Sequence, residues 1–246
     1  MKRFFAILCL CAIFMPLMEA KVQFEVRAGF GASNYRGDDN AGNRFSGKIG
    51  AVADIQINRN WSIEPGLFYV GKGTQFSGLY VHSGENQSGL MSKFRNSLHY
   101  LEVPVLAVYK IHLDKDAYIS LKAGPYFALG VKGTANVKTP MYNDNDKDFS
   151  NDLFKDGCDY DKSSYLSYED MLDDFIDMMI DKEPSRYIKT EKMNRLDAGI
   201  MAELGITYKH AYIGYNTSWG LTKLCSDFIV GAPRNMVYSV VFGYKF

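Results

Sequence analysis

Alternation with a period of two runs through eight separate segments of this chain, and it constrains the fold more than any other feature. Apolar residues at every second position give a strand one apolar face and one polar face. The closing segment shows this most plainly. Met236, Tyr238, Val240, Phe242, Tyr244 and Phe246 share one face, while Val237, Ser239, Val241, Gly243 and Lys245 take the other. The pattern recurs over 22–32, 47–57, 61–73, 97–111, 117–133, 195–208 and 211–221. The 17 Tyr, 16 Phe and 22 Gly, beside only 7 Pro, favour strands as well.

The start of the chain points to export. Lys2 and Arg3 precede an apolar run from Phe4 to Leu17, and Met18-Glu19-Ala20 offers a small residue for cleavage. This reads as a signal peptide over 1–20, too short to span a membrane well. Cys9 and Cys11 lie within it and leave with it. No later stretch approaches twenty uninterrupted apolar residues, so the exported chain is either a soluble β-fold or a barrel in a membrane.

Two details favour the barrel. Aromatic residues sit towards the ends of the apolar faces, at Trp61, Tyr69, Tyr109, Tyr215, Trp219 and Phe246, as in the girdles of lipid-facing strands. The connections also alternate in length. Tight turns at 58–60, 112–116 and 209–210 alternate with long loops at 33–46, 74–96, 134–194 and 222–235. The expected fold is all-β: an eight-stranded antiparallel up-and-down transmembrane β-barrel over 21–246, in the outer membrane. Its short turns face the periplasm, and one long, partly helical extracellular loop covers 134–194. A last strand that pairs with the first requires no tail beyond Phe246.

The stretches "WSIEPGLFYVGKG" (61–73), "LHYLEVPVL" (98–106), "LKAGPYFAL" (121–129), "GYNTSWGLT" (214–222) and "VFGYKF" (241–246) resemble, in their order, the PorT-like outer-membrane β-barrel family of Gram-negative bacteria. The resemblance implies a signal peptide, an eight-stranded barrel and an outer-membrane address. It implies no catalytic residues and no single shared activity.

The polar faces carry Glu25, Arg27, Lys48, Asp54, Glu64, Lys72, Glu102, Lys122, Asp197, Glu203 and Lys245. An eight-stranded interior is wide enough only for side chains, so these charges are expected to pair into a network that fills the lumen. Glu64, Glu102 and Glu203 are candidates for an acid cluster within it. The alternative is a binding site or narrow passage for a small molecule.

The long loop holds 15 acidic and 8 basic residues. Its "DNDKDF" (144–149) begins like a calcium loop, but Phe149 and Lys155 stand where Gly and Glu are needed, so no metal site is expected. In "SYEDMLDDFIDMMIDK" (167–182), Tyr168, Met171, Leu172, Phe175, Ile176 and Met179 recur at helical spacing, which predicts a lid helix. His82, His99, His112 and His210 show no ligand spacing, and no nucleophile–base pattern stands out. The reading is therefore a non-enzyme without a cofactor. Its surroundings are outer-membrane lipid and lipopolysaccharide, and its outer loops face a protein partner, which includes a secretion apparatus among the options. With 28 Lys plus Arg balancing 28 Asp plus Glu, there is no overall basic footprint for nucleic acid.

Cys158 and Cys225 remain in the exported chain, in the third and fourth long loops, where oxidation is permitted. A Cys158–Cys225 disulfide is hypothesised to tie the acidic loop to the barrel mouth. It would enclose 66 intervening residues. Loop-closure entropy then gives about 4 kcal/mol of stabilisation. Non-reducing peptide mapping of the native protein is expected to recover the linked pair; two thiols alkylated without prior reduction would refute it.

Overall fold

The computed structural model describes residues 21–37, 42–81, 89–138, 154, 193–224 and 233–246. The expected signal peptide, the 144–149 and 167–182 segments, Cys158 and Cys225 lie outside the described residues. The elements are eight strands: β1 (Val22–Arg36), β2 (Arg44–Gln56), β3 (Trp61–Val81), β4 (Gly89–His112), β5 (Ala117–Lys138), β6 (Leu196–Tyr208), β7 (Ala211–Gly220) and β8 (Arg234–Lys245). Each pairs antiparallel with its sequence neighbours, and β1 pairs β8 to close the barrel.

The seam runs in unbroken register from Glu25 opposite Lys245 to Arg36 opposite Arg234. Phe246 extends it by one bond, its amide donating to the Phe24 carbonyl at 3.0 Å. The terminal aromatic is thus part of the closure. Both ends of the barrel domain lie at the short-turn end.

Alternation sorts the side chains as the sequence implies. Phe24, Phe30, Ile49, Leu67, Phe127, Ile200 and Phe242 are exposed on the outer wall, while the charged faces are buried inside. Along β8 the outward residues from Met236 to Phe246 span ten residue steps. At about 3.3 Å per residue and a tilt near 40°, that is a band about 25 Å tall, the height of a bilayer's apolar core. Trp61 and Tyr109 pack at 5.0 Å at the periplasmic end of the band, with Tyr244 against Phe246 at 5.4 Å. Tyr215 is not a girdle residue: it pairs with Leu204 well inside the band.

The tight turns explain themselves locally. The Asn58 side chain accepts the amides of Asn60 and Trp61, closing the β2–β3 turn. Lys209 takes φ of 52° in the two-residue β6–β7 turn.

At the other end the strands outrun the sequence expectation. Pairing of β3 with β4 continues through Thr74–Asn96 to Val81–Gly89, and β5 runs to Lys138. Most of the expected second loop is therefore hairpin, and the third begins later than 134. Beyond the apolar band both faces of a strand can be wetted, so the ladder continues without the apolar alternation that marks it in lipid.

Leu204 lies outward near mid-band, 52 % exposed, between Leu121 and Tyr215. Leu204→Arg is expected to cost about 2–4 kcal/mol in urea unfolding of the lipid-reconstituted protein. Heat-modifiable gel migration reports the folded fraction. An unchanged midpoint would place Leu204 at an interface instead.

Candidate functional site

Among the described residues the lumen buries six cations, Arg27, Lys48, Lys72, Lys110, Lys122 and Lys245, against six carboxylates. They arrange in three tiers. Nearest the periplasm, Lys110 donates to Asp54 at 2.5 Å and Lys245 lies 3.4 Å from the same oxygen. Lys245 also donates to the Tyr118 hydroxyl at 2.9 Å.

The middle tier is built on Arg27. Its guanidinium is bidentate to Glu25 (2.7 and 2.9 Å) and bidentate to Glu64 (2.7 and 2.7 Å), and reaches Glu203 at 3.1 Å. A planar fork with five donors suits this task, and a lysine cannot replace it. Lys122 bridges Glu64 and Glu203 at 3.1 and 3.0 Å. Tyr212 donates to Glu203 at 2.5 Å, and its ring lies under both Arg27 and Lys122, at 4.5 and 4.3 Å. Gly205 and Gly214 make room for that ring, since a Cβ at either would strike Tyr212. Asn216 donates to Glu203 at 2.9 Å and accepts from Lys48 at 3.1 Å.

In the outer tier, Lys72 joins Glu102 (2.6 Å) and Asp197 (2.9 Å) above the Tyr126 ring. Asn235 and Thr222 donate to Asp197 at 3.0 and 2.9 Å.

All eleven charges singled out in the sequence thus face the lumen. Glu64 and Glu203 share Arg27 and Lys122, whereas Glu102 stands apart in the outer tier. Alternation also places Lys110, Tyr118, Tyr126, Tyr212, Asn216 and Asn235 inside, but a sequence gives no sign that these complete the network. Phe154 was beyond sequence reasoning. From within the long loop it enters the barrel mouth, packs edge-on against Tyr100 at 5.7 Å and joins Leu98, Tyr35 and Leu224 in an apolar cluster. Gly130 makes this possible, because a Cβ there would meet the Phe154 ring.

A water-filled channel would leave the side chains that line it accessible. Here Lys72 is 0 % exposed, Glu102 1 %, Asp197 2 %, Arg27 and Glu64 3 %. The lumen is packed with its own charges. Among the described residues no group of His, Cys, Asp and Glu has a metal-holding arrangement.

The sequence matches the family described as outer membrane protein beta-barrel domain over residues 16–226, which takes in β1 to β7. No curated protein matches it. Similar solved structures include Ail, the attachment invasion locus protein of Yersinia pestis, in complex with the heparin analogue sucrose octasulfate, at 9 % identity and TM-score 0.37, covering 92 % of this chain and 99 % of that one. Neisserial surface protein A is similar at 13 % identity and TM-score 0.40, covering 91 % and 97 %. The outer membrane protein OprG from Pseudomonas aeruginosa is similar at 12 % and 0.40, covering 92 % and 97 %.

Arg27→Met removes the partner that three buried carboxylates share. It is expected to cost about 3–5 kcal/mol in urea unfolding. Lys48→Met should cost less, because among the described residues Lys48 has no carboxylate within ion-pair distance. Equal losses for the two variants would show that Arg27 does not organise the tier.

Proposed function

The chain belongs to the outer membrane protein beta-barrel domain family, and from that premise we propose that it is a closed-lumen scaffold, holding its external loops at the cell surface for interaction rather than conducting solutes or catalysing a reaction. The packed lumen carries this reading. Twelve buried charges balance one another, and a passing solute would have to displace ion pairs that have no water to replace them. The residues that a reaction would need, a nucleophile beside a base or an open metal position, have no counterpart among the described lumen groups, whose carboxylates are taken up by cations.

The length of β3, β4 and β5 supports the same role. These strands carry their ladder beyond the apolar band and form a stalk under the loops between them. Phe154 anchors part of the long acidic loop in the mouth below. The PorT-like stretches are consistent with a partner in a secretion apparatus, and outer-membrane lipid with lipopolysaccharide forms the surroundings of the barrel wall. Small-molecule binding or narrow transport through the lumen is the second reading, and the tiers of ion pairs weigh against it.

Planar-bilayer recording of the purified full chain is expected to show no unitary conductance steps. Discrete openings that change with Glu64→Gln would overturn the closed-lumen reading and favour transport. A partner is sought by cross-linking in intact cells. The expected adduct depends on the external segments and survives Glu64→Gln.

A further inference from the structure

The outer rim of the barrel differs in charge from everything below it. On the long-loop side Arg36, Arg44 and Arg234 stand at strand ends and Lys223 just past β7, while Arg95 and Lys132 lie six residues inside the outer ends of β4 and β5. Among the described residues the nearest carboxylates are Glu102 and Asp197, both opposite Ala128, both buried and both engaged by Lys72. At the periplasmic end, by contrast, Asp114 and Asp116 accompany Lys115 and Arg59 in the turns.

Two places on this rim carry cations on the lipid-facing wall. At the seam Arg36 is directly opposite Arg234. Their neighbours Tyr35 and Asn235 are buried inside, so both arginines point outward. Like charges directly opposite in a ladder are destabilising unless something neutralises them. Among the described residues neither has a carboxylate at ion-pair distance; Arg234 Nε donates only to the Leu221 carbonyl, at 3.1 Å. Just below them on the same wall are Met236 and Trp219, directly paired, so the two guanidiniums sit one side-chain step above the apolar band.

The second place lies across β4 and β5. A bulge beside His99 turns Lys132 outward, directly opposite His99. Arg95 lies on the same face of β4 as His99, four positions nearer the long-loop end. His99 stacks on Tyr69 at 5.5 Å, and its Nδ1 is buried without a hydrogen-bond partner. Lys132 and an unpartnered ring nitrogen therefore meet at the level where the apolar band gives way to headgroups, with Arg95 above them on the same face.

We propose that these two clusters bind the phosphate groups of an outer-leaflet glycolipid, one at the β1–β8 seam and one on the β4–β5 face. Depth selects this occupant. A soluble polyanion would approach from above the rim, whereas a lipid phosphate stands beside the wall with its acyl chains along the apolar band. Paired guanidiniums match phosphate oxygens in charge and geometry. The inference rests on the outer-membrane placement, which carbonate-resistant membrane retention and heat-modifiable migration check independently of any lipid.

The test is native mass spectrometry of the detergent-solubilised full chain with bisphosphorylated lipid A, the same lipid without phosphates, and inorganic phosphate alone. The bisphosphorylated lipid is expected to bind at least about tenfold more tightly than the dephosphorylated one, the equivalent of one charge-assisted contact. Arg36→Gln with Arg234→Gln should remove one bound lipid, and Lys132→Gln should weaken the other, while heat-modifiable migration stays normal. Equal binding of both lipids to the wild-type chain overturns the proposal. Inorganic phosphate competing as well as the lipid would show a free-anion site instead. Unchanged binding in the folded variants would show that the lipid sits elsewhere.

Discussion

Everything in this structure depends on one requirement: a strand in hydrocarbon must have a partner for each backbone N–H and C=O on both sides. Seven of the eight pairings join sequence neighbours and arise from hairpins or longer connections. The eighth, β1 with β8, has no such help and must be built from opposite ends of the domain. Its in-register run and the terminal bond from Phe246 to Phe24 are therefore what make the other seven tolerable in a membrane. An open edge would leave polar groups in lipid at several kcal/mol each.

Closure at eight strands then dictates the interior. The cylinder is too narrow for a water column, so every inward residue meets side chains from across the barrel. Placing charges there is costly unless they are matched; here six cations meet six carboxylates, and Lys48, with no carboxylate at ion-pair distance among the described residues, is held by Asn216. Arg27 carries the largest share because its donors reach three carboxylates from three strands at once. The tyrosines are the second component. Tyr212 and Tyr126 each offer a ring face to cations and a hydroxyl to a carboxylate, filling volume while lowering the cost of burying charge.

The outer end follows different rules. Above the apolar band the strands no longer need a lipid-compatible face, and β3, β4 and β5 continue as ordinary ladder. The mouth itself is sealed by apolar packing rather than charge, with Phe154 and Leu224 arriving from connections and not from strands. The barrel thus changes from ion pairs in its middle to an apolar stopper at its mouth and a basic wall outside. Each change occurs where the surrounding solvent changes.

Much of this was legible in the sequence because alternation is a local property. Which face Leu204 or Glu203 occupies depends only on its neighbours along the strand, and the strand count and short turns follow from the same pattern. The partners of those residues were not legible. Arg27 and Glu203 are 176 positions apart, and their 3.1 Å contact depends on how far each successive strand is shifted around the cylinder. That shift also separates Glu102 from the other two glutamates. Alternation could not mark the ladder beyond Thr74, because strands in water need no apolar face, nor could it place Phe154, which belongs to no strand. The sequence by itself determined which residues share an apolar face and which a polar one, since that comes from hydrophobicity repeating along the chain. Its aromatic strand ends and alternating connection lengths favoured lipid as the solvent of the apolar face. Only the tertiary structure decided which charges neutralise one another and what fills the mouth, because those contacts are set by register and barrel width.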